Sequence, residues 1–312
     1  MEIRKSFLVY LIMLTLYGMI LTSCGTIPPS VPVSTASRFS ELPEGAYAYV
    51  YANLQNSRGL IQELYNGSLE DRLKMPASVF NNTDLLYGAL YKDTPDYRFY
   101  ALVPGRYPVF QSHISLTFNP DWKRKRSNGI SYWKSEKQGL SLRIEPKEVI
   151  ITDGKPYRET RSVPVLTGSS GEVKEPEIDF DSLAAPLEKA TLFIVLNQRG
   201  PLSQFLFNSS IQSPQVPMKQ VRLGLYPAAD PTSYVIQVWI ETESPLYGRA
   251  LNAILSLAST VKGFIPQKLF AKLLEVKPEL DGDTVHLRTN PIPNSELTLL
   301  LRDLLVYFDG IK

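Results

Sequence analysis

The apolar pattern opens on a strict alternation. Ala46-Tyr47-Ala48-Tyr49-Val50-Tyr51-Ala52 sets three tyrosines on one side and small residues on the other, which predicts a half-buried strand. Arg58-Gly59 then opens a short helix with Leu60, Ile61, Leu64 and Tyr65 on one face and Gly67 as its stop. Leu85 to Tyr91 and Tyr97 to Val103 predict two further strands, and Pro108 starts a helix through Phe118. Strands follow at Ile130 to Ser135, Leu140 to Glu145 and Glu148 to Thr152. The order then recurs: a strand at Thr191 to Leu196, a short helix from Arg199-Gly200, and a hairpin of Val221 to Tyr226 with Tyr234 to Glu241. A helix capped by Ser244 with Pro245 at its first position comes next, then one at Gln267 to Val276. The chain closes with a strand at Thr284 to Arg288 and an amphipathic helix from Asn294.

The two series overlay by order and spacing, with Arg58-Gly59 on Arg199-Gly200 and Pro108 on Pro245 at an offset of about 140 residues. The fold class expected is therefore α+β. Two tandem copies of a ferredoxin-like βαββαβ-type unit would form antiparallel sheets with helices on one face. The units are expected at residues 45–153 and 181–312, with a Gly- and Ser-containing linker at 154–180.

The chain before residue 45 has a different character. A basic start with Arg4 and Lys5 leads into an apolar run, Phe7 to Leu21, about 15 residues long against the ~20 a spanning helix needs. That layout predicts a signal peptide over residues 1–23. Its end, Leu21-Thr22-Ser23-Cys24, resembles the lipobox of bacterial lipoproteins, and Cys24 is the only cysteine in the chain. The resemblance implies cleavage before Cys24, a covalent diacylglycerol on its sulfur and an N-acyl chain on its amine. It implies a cell-envelope location, lipid-anchored, and Gly25 in place of Asp points to the outer membrane. Several acyl chains make a stable anchor where one is marginal. Residues 24–44, rich in Pro, Ser and Thr, are then expected as a lipidated tether reaching ~50 Å.

Composition narrows the function classes. With 33 basic and 31 acidic residues the chain lacks the charge excess that steers a protein to nucleic acid, and no nucleic-acid partner is expected. Gly-x-Ser-x-Gly, His-Glu-x-x-His, a Walker loop and a Gly-x-Gly-x-x-Gly following a strand do not occur. The two histidines, His113 and His286, have no ligand-spaced neighbours and read as structural. Asp179 with Asp181 reads as a helix cap, and Asp281-Gly282-Asp283 as a turn.

Two features suit binding. Tyr47, Tyr49 and Tyr51, joined by Tyr97 and Phe99, would give the sheet an aromatic face able to hold a sugar, peptide or lipid tail. Lys123, Arg124, Lys125 and Arg126 form the strongest charge run, beside an Asn128-Gly129 turn. Such a run either is a solvated loop or meets anionic headgroups or an acidic polymer. The expected function is a non-enzymatic envelope binding or scaffold module, with an envelope protein or polymer as partner. The alternative is a carrier holding an apolar or sugar ligand between the two units.

Overall fold

A computed structural model of the chain describes residues 36–43, 45–65, 82–93, 96–156, 178–196, 216–230, 232–260 and 268–309. Cys24, the expected signal peptide, most of the expected linker and the helix expected at Arg199-Gly200 lie outside these residues. The described chain is α+β and is built on one large antiparallel sheet. Its first half runs β1 (Ala48–Asn53), α1 (Leu54–Tyr65), β2 (Leu85–Asp93), β3 (Asp96–Pro104), α2 (Val109–Phe118), β4 (Lys123–Ser127), β5 (Ile130–Ser135), β6 (Leu140–Ile144) and β7 (Glu148–Thr152). Its second half runs α3 (Ala184–Lys189), β8 (Leu192–Leu196), β9 (Met218–Pro227), β10 (Ser233–Thr242), α4 (Pro245–Thr260), α5 (Lys268–Leu273), β11 (Glu279–Asp281), β12 (Thr284–Arg288), β13 (Ile292–Pro293) and α6 (Asn294–Asp309).

The strand order is β11-β12-β10-β9-β8-β1-β2-β3-β7-β6-β5-β4, with β13 also on β10. It departs from the expected ferredoxin-like order. A split βαβ inserts a strand between two parallel ones; here β1 pairs antiparallel with β2, and β2 with β3, as a meander. The order is mirrored about one seam. Outward from it run β1-β2-β3-β7-β6 on one side and β8-β9-β10-β12-β11 on the other. The seam is a full antiparallel ladder, Ala48 on Leu196 through Ala52 on Leu192, so the two halves share a sheet.

Register assigns the two faces. One row crosses the sheet as Leu287, Val238, Leu223, Ile194, Val50, Gly88, Ala101, Ile151, Leu142, Trp133 and Arg124. On this face α4, α5 and α6 bury Leu251, Leu255, Leu269, Leu273, Leu297 and Leu300 over the second half, and α2 buries Leu116 over the first. Leu60 of α1 sits in the second-half cluster, and Thr298 Oγ1 of α6 donates to Glu63 Oε2 at 3.1 Å. A first-half helix therefore closes a second-half core. The opposite face carries Trp239, Arg222, Val195, Tyr49, Ala89 and Tyr100 as neighbours. It is covered by α3 and by 3-10 turns at Ala36–Glu41 and Asp181–Leu183, so helices are not confined to one face.

Several local boundaries moved. Within the stretch expected as tether, residues 36–43 pack on the body: Phe39 and Leu42 are buried under the sheet, and Tyr91 Oη donates to the Pro43 carbonyl. The last residues of the expected linker behave likewise, with Ile178 buried and Phe180 stacked on Phe39 at 5.1 Å. Helix α1 starts four residues before Arg58 because Asn53 caps it, its Oδ1 accepting the Asn56 N–H at 3.1 Å. The run at Lys123 is a strand, not a loop. Asn128 (φ 50°) and Gly129 (φ 77°) form the two-residue turn that folds it onto β5. Gly129→Ala puts a Cβ into left-handed backbone and is expected to cost about 1–2 kcal/mol, read as a lower urea midpoint.

Candidate functional site: the cationic edge and the aromatic helix

The expected aromatic platform is a core. Tyr49 and Tyr51 are buried, Tyr47 is half-buried, and Phe39 and Phe180 meet the Tyr49 ring edge-on at 6.0 and 5.0 Å. Burial pushes the Tyr51 and Tyr91 hydroxyls up. Tyr97 lies in β3, opposite Lys92 of β2. Phe99 is half-buried and pairs with Leu90, itself opposite Ala48, so it faces away from Tyr49. The tyrosines that do join Tyr49 and Tyr51 are Tyr87, Tyr91, Tyr100 and Tyr226. Their alternation is visible in the sequence, but which of them share a face depends on the register of β3 against β2.

The charge run is the opposite case. β4 is the outermost strand, and Lys123, Arg124, Lys125 and Arg126 are all exposed. Among the described residues none of the four forms an ion pair. Lysines on an edge strand discourage pairing with another chain. Alternation splits the four: Arg124 pairs with Trp133 on the face that α2 covers, whereas Lys123 pairs with Lys134 on the other.

Helix α2 stands beside this edge. Its Ser112 and Leu116, four apart, face the sheet and are fully buried. Phe110, Ile114 and Phe118 share the outer side, exposed by 64%, 41% and 83%. The helix VFQSHISLTF contains no acidic or basic side chain except His113. The two elements are tied at their flank: Trp133 Nε1–H donates to His113 Nδ1 at 2.8 Å. An acceptor at Nδ1 requires the neutral ring, and burial, with the Arg124 charge, holds the His113 pKa down.

His286 lies at the other end of the sheet. It stacks on Trp239 at 5.0 Å with 9° between the rings, and its Nε2 is 3.3 Å from Gln237 Oε1. Burial lowers its pKa too, assisted by Arg288 and opposed by Glu279. Both histidines thus bind protons more weakly folded than unfolded. Their contribution to stability is complete above the unfolded value near about 6.5 and is lost as pH falls from there toward the folded values. Urea midpoints are expected to drop on acidification through this range, and to drop less in the His113→Gln/His286→Gln protein.

Beside Trp239, an open groove of ≈ 710 Å³ runs between α3 and β9–β10, lined by Ala185, Pro186, Lys189, Tyr226, Gln237 and Trp239 among others. Gly224 lets the Tyr226 ring lie flat over the strand, where any Cβ would strike it. Burial pushes the Tyr226 hydroxyl up to about 12. Its Oη and the Arg222 Nε have no hydrogen-bond partner. Among the described residues no group of three or more His, Cys, Asp or Glu is placed to hold a metal ion. No helix among them is long and apolar enough to cross a membrane.

No family model and no curated protein matches the chain. Solved structures of TP0453 do. Crystal form III aligns over 88% of this chain and 100% of its own, at 16% identity and TM-score 0.56. Form IV gives 86% and 100% at TM-score 0.54, and form I gives 88% and 98% at 0.53, both at 16% identity. At that identity the likeness is one of fold. It spans both halves, as expected of a single continuous sheet.

Proposed function

We propose that this chain is a lipid-anchored bacterial envelope protein whose body serves as a non-enzymatic binding or scaffold module. The observation that carries the reading is the position of Cys24, directly behind a short apolar run and inside Leu21-Thr22-Ser23-Cys24. The mirrored strand order supports an internal duplication whose repeated unit is a meander. Gly25 still favours the outer membrane over the inner.

The second reading is a carrier; β1 and β8 are hydrogen-bonded neighbours, so a ligand held between the halves would lie off that ladder. The groove beside Trp239 and Tyr226 keeps it alive, with aromatic walls suited to an apolar or sugar ligand. Intact-mass measurement on protein gently extracted from membranes tests both. A chain beginning at Cys24 with added diacylglycerol and acyl mass is the expected result. An unmodified chain contradicts the anchor, and a stoichiometric small molecule in the native spectrum favours the carrier over the scaffold.

A further inference from the structure

We propose that the outer side of α2 and the cationic edge of β4 form a docking surface for an anionic lipid bilayer, separate from Cys24. Three observations converge on it. Phe110, Ile114 and Phe118 recur at the helical i, i+4, i+8 spacing and so form one apolar ridge. Arg124 ends the residue row on the face where α2 packs, and Arg126, two residues along, shares its side. Neither arginine is in an ion pair among the described residues, which leaves both charges for an external anion.

The shape decides between a bilayer and a folded partner. Phe118 is 83% exposed, so most of its ring stands in solvent. A folded partner would need a cavity matched to each exposed ring, whereas the fluid boundary between headgroups and acyl chains accepts such side chains wherever they land. The helix itself brings no charge into that boundary apart from a histidine held neutral by its Trp133 contact. Cations flanking an apolar stripe are the arrangement by which amphipathic elements lie on anionic leaflets. Lys123 and Lys125, on the other side of the same edge strand, add to the local potential within a screening length.

The test uses residues 35–312, a compact unit that contains all three hydrophobic clusters and lacks Cys24. Its outcome is therefore independent of whether Cys24 is lipidated. Co-sedimentation is measured with vesicles of phosphatidylcholine alone and of phosphatidylcholine mixed with phosphatidylglycerol. Binding is expected to the mixed vesicles and not to the neutral ones. Arg124→Gln/Arg126→Gln should weaken it roughly 30-fold, at roughly fivefold per charge. Phe110→Ser/Phe118→Ser should weaken it by at least about tenfold. All four side chains are exposed, so urea midpoints should hold. Phe118→Cys supplies a unique thiol for a polarity-sensitive dye, since Cys24 is the chain's only cysteine; a blue shift on mixed vesicles is expected. Absent binding, equal binding to both vesicle types, or an unmoved dye overturns the proposal. So does a dimer in the wild-type protein that the phenylalanine variant dissolves, which would make a second copy the occupant.

Discussion

Phe39→Ala is expected to destabilise the body by about 3–5 kcal/mol. Phe39 is 1% exposed and meets three rings: Tyr49 and Tyr87 edge-on at 6.0 and 5.4 Å, and Phe180 stacked at 5.1 Å. Alanine leaves a cavity that those rings cannot close without abandoning strand positions on β1 and β2. The segment has other ties. Arg38 reaches Glu148 of β7 at 3.4 Å, and the Pro43 carbonyl accepts from Tyr91. Urea unfolding of residues 35–312 reads the loss directly. A change below about 1 kcal/mol would mean that residues 36–43 are tether after all.

Phe193→Ala is expected to cost a similar 3–5 kcal/mol, and its second effect matters more. Phe193 lies on β8 at the seam, opposite Tyr51 of β1 on one side and Gly224 of β9 on the other, and is 1% exposed. If the halves are one cooperative body, the loss belongs to both. Trp239 reports from the second half and Trp122 and Trp133 from the first. Single-tryptophan versions should therefore melt together and shift together. A shift confined to Trp239 would show that the halves unfold separately and that the shared ladder contributes little.

The sequence made some of this plain and hid the rest for identifiable reasons. Alternation at Ala46 to Ala52 marks β1, but a period of two cannot tell which side is covered; the covers, Phe39 and Phe180, lie in segments that read as tether and linker. In the first of these, Phe39 and Leu42 were the available signal against a Pro- and Ser-rich background. β4 carries four consecutive cations and no apolar alternation, so only its turn, Asn128-Gly129, betrays a hairpin. The stripe on α2 was readable as spacing, but Phe110, Ile114 and Phe118 look like core positions until Leu116 is seen to occupy the buried side. Strand order escaped because a β-α-β-β series is compatible with several pairings, and pairing is decided by contacts far apart in the chain.

Metabolic labelling with a clickable palmitate, comparing the native chain with Cys24→Ala, asks whether Cys24 carries lipid. Label on the native protein that vanishes in the variant is the predicted result. Absence of label on both proteins, or label that survives the substitution, would contradict it.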